Sequence, residues 1–390
     1  MLEKALNGNK YYWWWIGLLL ACIAVGAYNY VLQFQHGLQL TNMSRDVSWG
    51  FYVAQLTYLV GVAASGVMLV LPYYLHDYKK FGNLVVFGEF MAIGAIIMCL
   101  LFVIVDLGQP KRLMNVVLHP TPNSVLFWDM IVLNGYMFLN IIVGWASLEA
   151  QKKGVPYAKW VKILAIVSVP FAFSIHTVTA FLYAGIPARH FWLTAIMAAR
   201  FLASAFCAGP AIMLLLLFIV EKVAKFELGE YAVKMLARII TYAMIFNVFF
   251  FGLELFTAFY SQIPGHMHSI VYLFAGLEDP ATGQHLGVMV PYFWTAAFLA
   301  LLSLALLIPS TTRNCKPVLI FALLILIAAT WIDKGMGLVV AGFIPNMFEG
   351  VTEYMPSSTE LFISLGIYAI GALVVTVLWK IAVSVKKAAA

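Results

Sequence analysis

Ten apolar stretches in this chain are each long enough, at about 20 residues, to cross a lipid bilayer as a helix. With 63% hydrophobic and only 10% charged residues, the chain has too little polar surface to cover a water-soluble globule. The sequence therefore predicts an all-α integral membrane protein, with residues 1–390 as a single polytopic domain. The predicted spans, numbered 1 to 10 in chain order, cover residues 12–34, 49–75, 86–106, 124–147, 160–184, 193–222, 233–261, 286–308, 317–341 and 362–382.

Lysine and arginine are distributed unevenly between the two sides of the predicted membrane. If the N-terminus lies inside, that side holds 17 of the 23 basic residues. Basic residues are retained on the cytoplasmic side of membranes, so we expect both termini to be cytoplasmic in a multi-pass protein of the cell membrane. The net charge of +6 reflects this bias and gives no case for nucleic-acid binding.

Small residues are concentrated in spans 2 and 6, at residues 61–66 and 203–209, where they permit close helix contact. Each of these spans is followed by a span with an acid near its outer end, Asp106 and Glu254 respectively. Four crossings separate the two pairs, which favours parallel repeats. We therefore expect two four-helix bundles, residues 49–184 and 193–341, with 12–34 and 362–382 peripheral.

Seven ionisable residues in or beside the apolar runs fall in the outer third to half of the bilayer. An unpaired charge there costs roughly 2.5 to 3.5 kcal/mol on insertion scales. Some have a structural alternative: His176 can be satisfied by neighbouring helices, Asp106 can cap a helix, and Asp333 with Lys334 can form a local ion pair. Seven at one depth favour a functional site. They are Asp106, Asp129, His176, Arg200, Glu254, Asp333 and Lys334.

A cavity at that depth can hold a small redox molecule with two oxygens, such as a quinone. His176 can donate to a quinone oxygen and exchange protons near neutral pH. Glu254 or Asp106 would complete the site, and Arg200 would hold one acid ionised. These four are the quinone-binding candidates. The candidates for a proton path are Asp129, Asp333, Lys334 and, alone in the inner half, Glu89.

Resident redox centres are not expected in the chain. Haem b needs pairs of histidines on facing helices, and only His176 lies well inside a span. Four cysteines are scattered singly, which does not suit an iron–sulfur cluster or a disulfide framework. We expect no metal site and no catalytic residue acting on its own. Electrons must then pass to or from a partner, and the longer outside loops 35–48, 107–123, 262–285 and 342–361 favour docking on that face.

Three features resemble the NrfD/PsrC family of membrane subunits: Asp106-x-Gly108-x-Pro110 closing span 3, the segment 123–127 opening span 4, and His176 late in span 5. Within this family the ten-span layout is most similar to DsrP-type subunits, with HybB-type subunits as the nearest relatives. Family members commonly have arginine before the proline, where this chain has Gln109. The adjacent Lys111 or Arg112 can substitute for it.

The resemblance implies a menaquinol-interacting subunit, without a redox cofactor of its own, of a quinone-dependent oxidoreductase complex linked to sulfur metabolism. It implies electron exchange with an extracytoplasmic ferredoxin-like iron–sulfur subunit of DsrO type. It further implies association with a membrane cytochrome b, a c-type cytochrome and a cytoplasmic iron–sulfur subunit. Two alternatives remain open on the residues: a proton- or ion-translocating subunit, and a membrane anchor without a quinone site.

Overall fold

Ten long helices contain most of the residues that the structure describes. The structure is a computed structural model, and it describes residues 3–75 and 81–389. The number and class of these helices confirm the predicted all-α membrane protein. Lys79 and Lys80, which contributed to the predicted orientation, lie outside the described residues. Spans 1 to 10 are Lys10–His36, Phe51–Leu75, Gly82–Asp106, Val125–Lys153, Lys159–Ala184, Met197–Ala224, Glu230–Tyr260, Val290–Leu307, Lys316–Ala341 and Ser358–Ala389.

Two spans are not regular α-helices throughout. Span 2 consists of an α-helix Phe51–Ala63, a 3₁₀ turn Ala64–Gly66, an α-helical turn Val67–Val70 and a π-helical segment Leu71–Leu75. Span 9 consists of Lys316–Trp331, a π-helical segment Ile332–Gly337 and a final turn Leu338–Ala341. Such π-helical segments are frequent at functional sites.

Short elements connect the spans. A short β-hairpin pairs the strand Leu277–Glu278 with the strand His285–Leu286. Span 8 therefore begins at Val290, four residues later than the sequence predicts. The remaining α-helices are Glu3–Leu6, Asn115–Leu118, Pro264–Ala275 and Ser310–Arg313, and the 3₁₀ turns are Leu38–Leu40, Pro110–Arg112 and His190–Trp192.

Helices suit these segments because a helix satisfies its own backbone hydrogen bonds where the bilayer offers no water. Two of the span ends carry typical capping residues. The Asn9 side chain accepts a hydrogen bond from the backbone N–H of Tyr12 at 2.9 Å, which caps the start of span 1. Span 4 ends at Gly154, whose φ of +67° is the left-handed conformation that glycine adopts readily.

Neighbouring spans pack in a repeated order. Span 2 packs against spans 3 and 5, and span 4 contacts both of these; span 6 packs against spans 7 and 9, and span 8 contacts both of these. Spans 2 and 6 also contact each other, and span 10 lies against spans 1, 3 and 4. The division into two bundles with peripheral first and last spans stays a prediction.

The two small-residue patches form the contact between spans 2 and 6. A Cβ atom on Gly209 would lie 2.7 Å from the Cβ of Ser65 and 2.9 Å from the carbonyl oxygen of Gly61. A Cβ atom on Gly61 would in turn lie 3.3 Å from the Cα of Ala205. Only residues without a bulky side chain allow two backbones to approach this closely.

The loops gather on two faces. We call the end that carries segments 37–50, 107–124, 185–196, 261–289 and 342–357 the loop face, and the opposite end, with both chain ends, the terminal face. On the loop face, Trp49 stacks on Trp192 with ring centroids 5.7 Å apart, and the Trp192 indole donates to the carbonyl of Leu338 at 2.8 Å. On the terminal face, Lys4 donates to the carbonyl of Ser384 at 3.0 Å.

Replacing Gly209 by alanine should lower the free energy of unfolding by about 1–3 kcal/mol, because the added methyl group overpacks the contact with span 2. The measurement is equilibrium unfolding in mixed SDS–detergent micelles. Gly252→Ala is the matched control, since a Cβ atom there meets no atom within 4 Å and the residue is exposed. Equal stability of the two variants would contradict the close contact.

Candidate functional site

A buried charge cluster joins spans 6, 7 and 9. The guanidinium of Arg200 donates to the carboxylate of Glu254, and its Nη2 donates to Oδ1 of Asp333 at 3.2 Å. The side chains of Arg200 and Glu254 are only 8% and 5% exposed. A buried arginine of this kind needs acidic partners because water cannot compensate its charge. The role of Arg200 in holding an acid ionised stays a prediction.

Lys334 brings a second cation to the cluster. Its Nζ donates to the carbonyl of Phe201 at 3.3 Å and lies 4.4 Å from the centre of the Phe201 ring. A Cβ atom on Gly61 would lie 3.3 Å from the same Nζ, so Lys334 sits where spans 2, 6 and 9 meet. Asp333 and Lys334 are both in the π-helical segment of span 9. The cluster thus combines two carboxyl and two basic side chains.

A cavity of about 210 Å³ adjoins the cluster between spans 7, 8 and 9. Its walls are mainly apolar and include Phe251, Phe293 and Ala300. Asn247 and Asp333 lie in the same wall as polar groups. The side chain of Asp333 is 20% exposed, against 5% for Glu254, which agrees with Asp333 reaching the cavity while Glu254 is enclosed.

A polar column runs along span 5 on the other side of span 6. His176, Thr179 and Tyr183 are spaced three and four residues apart and therefore share one face of the helix. The hydroxyl of Thr179 donates to Oδ1 of Asp129 on span 4 at 2.8 Å, and the hydroxyl of Tyr183 is hydrogen-bonded to that of Thr57 on span 2.

His176 is fully buried at the inner end of this column. Its ring lies beside Phe206 of span 6, with centroids 6.5 Å apart. Neither ring nitrogen has a hydrogen-bond partner among residues 3–75 and 81–389. Unpaired buried polar groups are rare in folded proteins, so this imidazole is the most exceptional polar side chain of the column.

Asp106 lies in another part of the molecule, at the loop-face end of span 3. Beside it, the amide of Gln33 on span 1 donates to the carbonyl of Val105 at 2.7 Å and accepts from the hydroxyl of Tyr52 at 2.7 Å. Oδ1 of Asp106 has no partner within the described part of the chain. Of the four predicted quinone-binding residues, the structure therefore joins only Arg200 and Glu254 by direct contact.

The four predicted proton-path residues are also divided. Asp129 belongs to the polar column, and Asp333 and Lys334 belong to the charge cluster. Glu89 is buried in the terminal-face half of span 3, against Gly144 of span 4. Neither of its carboxylate oxygens has a hydrogen-bond partner in the described ranges.

Asn247 is a residue of the site that the sequence did not single out. It lies seven residues, two helical turns, before Glu254, so both project from the same face of span 7. That spacing is the signal that identifies it. Its side chain lines both the cavity and a small void beside Arg200. Within residues 3–75 and 81–389, no three histidine, cysteine or acidic side chains are grouped so that they could hold a metal ion.

The loop face is tied together by Asp279. This carboxylate accepts hydrogen bonds from the hydroxyl of Thr282 at 2.7 Å and from the backbone N–H of Val351 at 3.2 Å. The two bonds hold the pKa of Asp279 below its usual value of 3.8, with the Thr282 hydroxyl as the larger cause. The carboxylate thus joins the 276–289 and 342–357 segments over the neutral pH range.

Replacing Glu254 by glutamine should lower the free energy of unfolding by roughly 3–5 kcal/mol, because it leaves a buried cation with one acid instead of two. Unfolding in mixed micelles measures the change. Glu221→Gln is the matched control, since Glu221 pairs with Lys316 at an exposed position where an ion pair contributes about 0–1 kcal/mol. Similar losses in the two variants would show that the cluster does not hold spans 6, 7 and 9 together.

Comparison with known proteins gives the chain a family. The family model described as polysulphide reductase, NrfD, matches residues 39–342, which include spans 2 to 9. A candidate membrane subunit of the dimethyl sulfoxide reductase of Halobacterium salinarum is 24% identical over 93% of this chain and 89% of its own length.

Two further relatives match over shorter stretches. A selenate reductase subunit of Mesobacillus selenatarsenatis is 27% identical over 49% of this chain and 53% of its own length. The Hdr-like menaquinol oxidoreductase integral membrane subunit of Archaeoglobus fulgidus is 24% identical over 64% of this chain and 62% of its own length. With its ten spans and a family match over most of its length, the chain belongs to the NrfD family of membrane subunits of reductase complexes.

Proposed function

We propose that this subunit binds a quinone, most specifically menaquinol, and exchanges its electrons with an iron–sulfur partner on the loop face. Family membership supports a place in a redox complex. One relative is named as the integral membrane subunit of a menaquinol oxidoreductase. The proposed enzyme is the whole complex, to which this chain contributes a quinone site and no redox centre of its own.

His176 is the observation that carries the proposal. A buried polar group without a hydrogen bond costs about 1–3 kcal/mol, and a bound ligand can remove that cost. A neutral imidazole has one donor and one acceptor nitrogen, which suits the carbonyl of a quinone and the hydroxyl of a quinol equally. We place the head group beside His176, between spans 5 and 6.

The chemistry assigned to these residues is proton exchange. Oxidation of a quinol releases two electrons and two protons; the electrons pass to the partner, and His176 accepts the first proton. Asp129 lies one turn further along the column, joined to it through Thr179, and is the proposed acceptor that passes protons on toward the loop face. Reduction of a quinone uses the same groups in reverse.

The remaining predicted residues have supporting roles. The paired Arg200 and Glu254, on the neighbouring spans 6 and 7, determine the electrostatic potential next to the proposed quinone. Asp106 is a proposed exit point for protons at the end of span 3.

The excess of basic residues on the terminal face supports an arrangement with both termini cytoplasmic and the loop face outside the cell membrane.

The partners are proposed from the motif resemblance. The loop face would receive an extracytoplasmic ferredoxin-like iron–sulfur subunit of DsrO type. A membrane cytochrome b, a c-type cytochrome and a cytoplasmic iron–sulfur subunit would complete the assembly. The DsrP-type assignment, and with it the link to sulfur metabolism, belongs to this proposal.

Proton translocation is a second candidate function, and Glu89 is the observation that favours it. This buried acid lies in the half of the membrane opposite the polar column and has no described hydrogen-bond partner. Intramembrane acids of this kind often belong to proton relays. In this function Asp333 and Lys334 would continue the path between the two halves.

The variant His176→Ala should weaken binding of a quinol analogue by roughly ten- to a hundredfold, which corresponds to a lost hydrogen bond of about 1.5–3 kcal/mol in a buried site. Fluorescence titration of the purified complex measures it. His176→Gln should retain part of the affinity, because the amide can also donate and accept. Unchanged binding in His176→Ala, with the complex intact, would show that His176 only packs.

The variant Glu89→Gln tests the second function. It should reduce the number of protons released or taken up per electron while leaving quinone binding unchanged, because the amide keeps the shape and removes the titrating group. A pH indicator in proteoliposomes that contain the complex gives the proton count. Glu149→Gln is the control, since Glu149 pairs with Lys153 at the exposed end of span 4. An unaltered proton count in Glu89→Gln would refute the relay.

A further inference from the structure

We infer that the cavity between spans 7, 8 and 9 is a second binding site for an isoprenoid quinone or quinol, entered sideways from the bilayer. It is separate from the site proposed beside His176. That histidine is on span 5, whereas the cavity is lined by spans 7, 8 and 9 together with Phe274 of the loop-face helix Pro264–Ala275. The inference therefore stands or falls independently of the proposed function.

The cavity is large enough for a quinone ring. Its volume of about 210 Å³ exceeds that of an engineered apolar cavity of about 150 Å³ that binds benzene. Three aromatic rings, those of Phe251, Phe274 and Phe293, contact one another in its wall, with centroids 5.0–6.3 Å apart. Flat aromatic walls of this kind favour a flat aromatic ligand through stacked or edge-to-face contacts.

The polar wall supplies both kinds of hydrogen-bonding group that a quinone couple needs. Asn247 has an amide that lines the cavity and can donate to a quinone carbonyl. Asp333 uses Oδ1 for Arg200, which leaves Oδ2 to accept a hydrogen bond from a quinol hydroxyl. Arg200 fixes the direction in which this carboxylate points.

An isoprenoid tail has a route out of the cavity. Leu301 of span 8 lines the cavity and is also 61% exposed, so it forms part of a lateral opening to the lipid. Spans 7 and 8 pack against each other less extensively than spans 6 and 7 or spans 8 and 9 do. A lipid-soluble carrier can therefore reach the polar wall with its head while its tail stays in the bilayer.

The charge of the lining favours a quinone over a phospholipid. Asp333 is the one charged residue among the described residues that line the cavity, and it is an acid. Arg200 is already bonded to this carboxylate, so the described lining offers no basic side chain to bind a phosphate head group, and a neutral quinone or quinol needs none. Arg200 and Lys334 line an adjoining water-sized void, which shares Asn247 and Asp333 with the cavity, and they are not part of the cavity wall itself.

The test is the number of binding sites for heptyl-hydroxyquinoline N-oxide, a fluorescent quinol analogue, on the purified protein in quinone-free lipid nanodiscs. Wild type should bind two molecules per chain. Ala300→Phe fills the cavity and should remove one of them, while Ala305→Phe, on an exposed part of span 8 outside the cavity, should retain both. Asn247→Leu is a milder variant that leaves the charge cluster intact and should weaken one site by at least tenfold.

Each outcome separates this inference from the proposed function. Loss of all binding in His176→Ala, with wild-type binding in Ala300→Phe and Asn247→Leu, would overturn the second site and leave the first. Loss of binding in Ala300→Phe alone, with no effect of His176→Ala, would support the second site and overturn the first. Displacement of the analogue by phospholipid, followed by native mass spectrometry, would show a lipid site and overturn the assignment to a quinone.

Discussion

Arg200 lies where bulk water cannot surround its charge, and much of the arrangement around it follows from that constraint. Water is absent from the hydrocarbon core, so the guanidinium must find acids within the protein, and it binds one on span 7 and one on span 9. These two contacts fix the relative positions of three helices. They also fix the orientation of the Asp333 carboxylate, so the protein and not the solvent determines where its second oxygen points. The cavity owes its polar wall to this arrangement.

Span 6 separates two chemically different regions. On one side lies the column of His176, Thr179 and Tyr183, with Asp129 bonded to it. On the other side lie the charge cluster and the apolar cavity. The glycine contact at Gly209 holds span 6 close against span 2, so neither region can widen there without moving the backbone. A subunit that handles a lipid-soluble carrier benefits from such rigidity, because buried hydrogen-bonding groups must meet the head group at a fixed distance.

Much of the fold could be predicted because the bilayer imposes a length and an apolar composition on each span. Span 8 shows the limit: residues 286–289 are apolar enough to extend it, yet the hairpin of His285–Leu286 takes the first of them. The π-helical segment at Asp333 has no compositional signal, since it changes the register without changing the residue types. For the site, depth in the membrane grouped Arg200 with Glu254, and the two side chains lie in contact. Depth alone does not give the position around the bundle, so it could not separate Asp106 from them.

The most direct measurement is a structure of the complex in lipid nanodiscs with a menaquinone analogue bound, at a resolution that shows the ring. The account predicts a head group between spans 5 and 6, with one of its oxygens within hydrogen-bond distance of the His176 ring. A ring of neighbouring side chains closed tightly around His176, with the analogue bound only elsewhere, would contradict it.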